Sequence, residues 1–166
     1  MSEMLGNQYF MARKYSLAEP ILESCLRKYP GNKSIRKKLI VCYTQTGNLD
    51  TALSSFLSLI KEDIEYIINT DPVEDDCPCP ELIYDLENSG KQFVDLMLEY
   101  GKLGILWLYC DINKSIYYFK KALEINPSET KLKSIHVIIQ NHIESRKGLT
   151  DTQEVPLPKQ INGHYF

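Results

Sequence analysis

The chain has 166 residues, of which 43% are hydrophobic and 25% charged. These values exclude whole-chain disorder and leave room for one domain of ordinary size. A net charge of −3 gives no bulk basic field for nucleic acid or anionic lipid, and eight glycines with eight prolines are too few turn residues for a many-stranded β-sandwich.

From the N-terminus, Met1 to Gly6 lacks the basic and apolar regions of a secretory signal. Leu5 and Tyr9 lie four apart, on one face of a first helix, and Ala18 and Leu22 do the same on a second. The pattern returns after a step of 34 residues: Leu5 recurs as Leu39, Tyr9 as Tyr43, Ala18 as Ala52, and Leu22 as Phe56. A small residue at the Ala position lets two helix backbones approach closely. In the second copy Gly47 is placed to close a helix in the left-handed conformation. Asp50 is expected to cap the next helix, as Ser16 does in the first copy, where Ser16-Leu17-Ala18-Glu19 reads as a capping box. Pro20 then falls in a first turn, where a missing donor costs least.

Leu5-Gly6-x2-Tyr9, Ala18-x3-Leu22 and Pro30, followed by Leu39-x3-Tyr43, Gly47 and Ala52-x3-Phe56, resemble the tetratricopeptide repeat family, including its 34-residue period. Ile40 replaces the small residue at Gly6, and Ile64 stands where Pro30 has no counterpart, so the fourth helix is expected to run on to about Asn69. Phe119, Ala122 and Pro127 repeat the spacing of Leu22, Cys25 and Pro30 in a third copy, with Asn113 at its N-cap site and Ser115 at its small-residue site. Leu103-Gly104-x2-Trp107 supplies the matching first helix, one residue out of register, which implies a one-residue deletion near Cys110-Asp111.

The expected fold class is all-α: a solenoid of antiparallel helix hairpins with a C-terminal capping helix. Residues 1–147 form the repeat domain, with repeats over about 1–32, 33–64 and 93–127, an insertion over 65–92, and the capping helix over 128–147. Within the insertion, Pro72, Pro78 and Pro80 with Asp71, Glu74, Asp75 and Asp76 predict an acidic loop, and Glu81 to Glu87 a short helix before a break at Ser89-Gly90 and a long helix from near Lys91. Residues 148–166 are expected to be a mobile tail.

No phosphate loop, dinucleotide fingerprint, His-Glu-x2-His or nucleophile elbow occurs, so no enzyme and no cofactor is expected. Cys77-Pro78-Cys79 is the one chemically suggestive spot. It reads as a plain loop, a redox pair, or half a metal site without further ligands at suitable spacing. Cys25 and Cys42 fit helix packing positions. Five cysteines, an odd number, fit a reducing cytoplasm better than a disulfide framework. The longest apolar run, Ile105 to Cys110, is far short of the roughly 20 residues a membrane span needs.

What the family resemblance implies is a concave groove lined by the first helix of each hairpin. Its lining is expected to be Asn7, Phe10 and Met11 from copy one; Ser34, Lys37, Val41, Thr44 and Gln45 from copy two; and Leu98, Gly101, Ile105, Leu108 and Tyr109 from copy three. Leu103 to Tyr109 leave the last of these helices almost no polar face, so either residues 81–92 or the tail cover it, or it receives an apolar peptide. The carboxylate clamp of chaperone-binding repeats is not matched: its positions hold Glu3, Asn7, Lys38, Leu98 and Lys102, and Glu3 reverses a required charge. Lys33, Arg36, Lys37 and Lys38 form a basic patch, read as a solvated face or a contact for an acidic segment, a partner's or this chain's own 71–76 loop. The function expected is a cytoplasmic protein-binding scaffold, an adaptor or co-chaperone, with no nucleic-acid or membrane partner. The alternatives are a subunit of a homo-oligomer or other complex, and a protein resembling the class II chaperones of type III secretion.

Overall fold

The computed structural model describes residues 2–89 and 95–151. Among the described residues the chain is all-helical: α1 (Glu3–Met11), α2 (Tyr15–Lys28), α3 (Lys33–Gln45), α4 (Leu49–Asp63), α5 (Glu65–Ile68), α6 (Cys79–Asn88), α7 (Leu96–Leu108), α8 (Ile112–Ile125) and α9 (Thr130–Asp151). Helix starts follow local side-chain chemistry. Ser2 accepts the Leu5 N–H at 3.4 Å, Asn32 the Ile35 N–H at 3.1 Å, and Asp95 the Leu98 N–H at 3.2 Å. Asp111, two residues before the expected Asn113, caps α8 by accepting the N–H groups of Asn113 and Lys114.

Two caps differ from expectation. α2 and α4 start at Tyr15 and Leu49, so Ser16 and Asp50 lie inside the first turn, and Lys14 and Asn48 precede the helices without a side-chain cap. The reason is the preceding turn. Arg13 (φ 60°) and Gly47 (φ 81°) are left-handed, and the next N–H groups, of Lys14 and Asn48, bond back to the carbonyls of Tyr9 and Tyr43 at 2.9 and 3.0 Å. That closure brings the chain straight into the following helix. Glu19 accordingly caps nothing at Ser16; its carboxylate accepts the Thr46 hydroxyl at 2.6 Å. Pro20 falls in the second turn of α2, one turn deeper than expected.

Hairpins α1–α2, α3–α4 and α7–α8 stack in order, with α2 against α3, α4 against α7, and α9 laid over both α8 and α4. Small residues set the spacing. A Cβ on Gly6 would come within 2.8 Å of Leu22, and one on Gly104 within 2.9 Å of Phe119. Gly6 and Gly104 therefore hold equivalent places, and Phe119 follows its glycine one residue sooner than Leu22 does. The shortened turn, Tyr109-Cys110-Asp111, contains no left-handed residue. Ser115, at the small-residue site of α8, donates its hydroxyl to the Gly104 carbonyl at 2.6 Å. Ala18, Leu22, Ala52, Phe56, Phe119 and Ala122 are fully buried along this axis.

The expected run from α4 to Asn69 is interrupted. α4 stops at Asp63, Ile64 forms a turn, and α5 adds one further turn. Asp63 accounts for the break: its carboxylate accepts the Tyr66 N–H at 3.3 Å and the Lys33 ammonium at 2.8 Å, which starts a new helical segment. α6 begins at Cys79 rather than Glu81, since Pro80 is tolerated in a first turn. α9 continues past Lys147 to Asp151, so Gly148 to Asp151 are helical rather than part of a loose tail. The rest of the expected tail and the expected helix start near Lys91 lie outside the described residues.

Candidate interaction groove

The concave face is formed by α3 and α7 with the end of α1, and the chain's own residues 64–88 lie across it. Of the expected lining, Phe10, Val41, Thr44, Ile105, Leu108 and Tyr109 are all buried, so they form the floor beneath that segment rather than an open wall. The Thr44 hydroxyl is spent on the Val41 carbonyl at 2.7 Å and accepts from Gln45 at 3.1 Å. Gly101 faces Leu49 of α4, with a virtual Cβ at 3.2 Å, which puts it between hairpins and outside the groove. Leu98 is half-buried against the core. Met11 is exposed. Asn7 accepts from the half-buried Lys38 ammonium at 2.8 Å, and burial holds the Lys38 pKa below its ordinary value.

Two cations organise the site. Lys37 of α3 donates to the Thr70 hydroxyl at 3.1 Å, meets the Asp75 carboxylate at 3.4 Å, and lies 4.9 Å from the Tyr66 ring centroid. Its carbonyl accepts the hydroxyl of Tyr109, just past the end of α7, at 2.7 Å, joining two walls of the groove. Arg13, in the first hairpin turn, donates to Glu81 at 3.2 Å and stands 3.9 Å from Asp76. The other two members of the basic patch turn elsewhere: Lys33 pairs with Asp63 at 2.8 Å and Arg36 with Glu62, both on α4.

Beside these charges the segment has an apolar side. Cys79 and Ile83 of α6 are buried in the same core as Ile105, Leu108 and Tyr109, and α6 packs directly on α7. At its far end the Glu87 carboxylate accepts the Trp107 indole N–H at 3.1 Å and the Tyr118 hydroxyl at 2.8 Å. A cavity of about 190 Å³ remains between α3 and the segment, lined by Ser34, Lys37, Lys38, Val41, Tyr66, Asp75, Cys77 and Tyr109 among others. A wider opening of about 450 Å³ lies on the other side of Tyr109, bounded by Pro72, Pro80, Tyr84, Trp107 and Lys114.

Arg13 was not singled out by the sequence pattern, and Glu81 and Glu87 appeared there only as the ends of a short helix; Asp75 and Asp76 were expected in an acidic loop open to the basic patch, and the Lys37–Asp75 pair is one such contact. One signal for Arg13 was present: it occupies the repeat position of Gly47, where only a left-handed residue closes the turn. Among the described residues no cluster of three or more His, Cys, Asp or Glu side chains is placed to hold a metal ion, and no helix is long and apolar enough to cross a membrane.

The stacked hairpins define an α-helical repeat protein whose concave side carries the clustered charges. Residues 9–63 match the tetratricopeptide repeat family model, and over that stretch the chain carries tetratricopeptide repeats. The third hairpin lies beyond the match and shares the glycine-to-large-residue contact of the first. No curated protein and no solved structure matches the chain.

Proposed function

We propose that this chain is a non-catalytic protein-binding scaffold of the cytoplasm. Its groove takes an acidic, proline-containing segment with an apolar flank, and its own residues 70–88 hold that place as an internal ligand. The observation that carries the reading is the joint engagement of Lys37 and Arg13 with Thr70, Asp75, Asp76 and Glu81. Repeats of this family are typically interaction modules, which supports a binding role over catalysis. The odd cysteine number supports a reducing compartment. A partner of the same chemistry would compete with the internal segment, as an adaptor or co-chaperone client would.

The test uses a labelled synthetic peptide of residues 70–88 and the full-length protein. Charge reversal at Asp75, Asp76 and Glu81 together should loosen the internal segment. That variant is expected to bind the peptide at least about tenfold more tightly than the native chain, about 1.4 kcal/mol. Adding Arg13→Glu and Lys37→Glu should abolish the gain. Equal affinity of the native and loosened chains would overturn the proposal, and so would binding indifferent to Arg13 and Lys37.

A further inference from the structure

Two thiols of the inserted segment stand in an arrangement that the groove reading does not use. The Cys77 and Cys79 sulfurs are 2.7 Å apart, and the Cys77 sulfur also accepts the Cys79 N–H at 3.4 Å. Pro78 between them precedes α6, so the Cys79 N–H is the first of that helix, whose positive end favours a thiolate at Cys77. Cys77 is half-buried and lines the cavity of about 190 Å³ that holds Lys37 and Asp75. Cys79 is fully buried beneath it. One thiol is thus presented to a small reagent, and the other waits behind it in contact.

We infer that Cys77 and Cys79 form a peroxide-responsive dithiol site, with Cys77 as the attacking sulfur and Cys79 as the resolving one. The Cys77 thiolate attacks one oxygen of a hydroperoxide, the O–O bond breaks, and the departing oxygen leaves as water or alcohol after taking a proton. Cys77 is then a sulfenic acid. The Cys79 sulfur attacks it, the S–O bond breaks, and the hydroxyl leaves as water with the Cys79 proton. Two electrons pass from the two thiols to the hydroperoxide, and a Cys77–Cys79 disulfide remains.

The electrostatics agree with that division of labour. The hydrogen bond from Cys79 holds the Cys77 thiol below the usual range, with a further contribution from the Lys37 ammonium; burial first, then the same sulfur contact, pushes Cys79 well above it. Elsewhere burial raises the Cys42 thiol to about 12, and the partial burial of the Cys110 thiol raises it to about 11. The inference does not depend on any partner entering the groove.

The experiment treats the reduced full-length protein with one equivalent of hydrogen peroxide and follows intact and peptide mass. The expected result is loss of two hydrogens, located in the peptide that carries Cys77 and Cys79, at a rate at least about tenfold above that of Cys110 oxidation. Cys79→Ser, which keeps a side-chain donor, should stop at a dimedone-trapped sulfenic acid on Cys77; Cys79→Ala should stop there too but more slowly, having lost that donor; and Cys77→Ser should leave the site unreactive. Circular dichroism matching the native chain qualifies each variant, and the native-chain result stands without any of them. Prior oxidation of Cys110, a Cys77–Cys110 linkage as the main product, or trapping on Cys79 instead of Cys77 would overturn the assignment.

Discussion

The second and third hairpins meet the groove with opposite faces. α3 turns the half-buried, polar Ser34, Lys37 and Lys38 toward it around the buried Val41. α7 presents Ile105, Leu108 and Tyr109, all buried. The inserted segment matches this division, offering Asp75 to Lys37 on one side and Cys79 with Ile83 to α7 on the other. A repeat period alone does not specify what fills a groove. The two walls differ because the segment between them needs one polar and one apolar support, and the third hairpin could not leave its apolar helix uncovered in water.

That comparison breaks most severely at the junction of the two hairpins. Phe119 of α8 is fully buried, and its ring lies 5.6 Å from that of Phe56 on α4. Phe119→Ala removes the contact that sets α7 on α8 and α8 against α4. It is expected to cost about 3–5 kcal/mol in urea unfolding, the largest effect of any change considered. A loss under about 1 kcal/mol would mean that the third hairpin is not stacked on the second in this way.

The stack was legible in the sequence because close helix approach leaves a residue-level trace. Gly6, Ala18, Ala52, Gly104 and Ala122 are small where backbones meet, and Leu22, Phe56 and Phe119 are large where they fill the gap. The course of residues 64–88 left less of a trace. Its prolines and acids announced a loop, its short helix was visible, and the basic patch that holds Lys37 was one expected contact for its acids, by complementary charge; Arg13, in a distant hairpin turn, had no such signal of its partners Asp76 and Glu81. Of the expected lining, Phe10, Val41, Thr44, Ile105 and Leu108 lie on α1, α3 and α7, and Tyr109 just past the end of α7; all are buried, and the covering segment changes what they can meet. The caps at Ser16 and Asp50 were misread for a different reason. Both side chains suit a cap, but the left-handed turn residues reach the helix one step sooner.

A smaller effect sharpens the equivalence of the glycines. Gly104→Ala sets a Cβ against the ring of Phe119, which is held on its other side by Phe56. Gly6→Ala sets a Cβ 2.8 Å from Leu22 and 3.2 Å from Ile21, aliphatic side chains of α2 that can turn aside where a ring held by a second ring cannot. Alanine gains about 1 kcal/mol of helix propensity at either site. Overpacking of about 1–3 kcal/mol opposes it where the neighbour cannot move. Gly104→Ala is therefore expected to destabilise by up to about 2 kcal/mol, and Gly6→Ala by less, because its neighbours can move. Thermal unfolding of the two variants side by side decides the matter, and equal effects would remove the distinction between the hairpins.

The smallest prediction concerns Arg13, which holds two roles that substitution can separate. As a left-handed residue it is strained, on the order of 1 kcal/mol relative to glycine. As a cation it ties the first hairpin turn to Asp76 and Glu81, and Asp76 is itself left-handed (φ 45°). These ion pairs are partly exposed, so they contribute only a fraction of a kcal/mol each. Arg13→Ala loses the tie and keeps the strain; Arg13→Gly loses the tie and relieves it. The glycine variant should therefore unfold at higher urea than the alanine variant, by about 1 kcal/mol. Both should increase amide exchange over residues 76–82 to the same extent, because both lose the same cation. If exchange there stayed at the native level in both variants, Arg13 would be a turn residue whose charge has no part in holding the segment. The strain would then have no function to set against it, since Gly47 closes the equivalent turn of the second hairpin at no such cost.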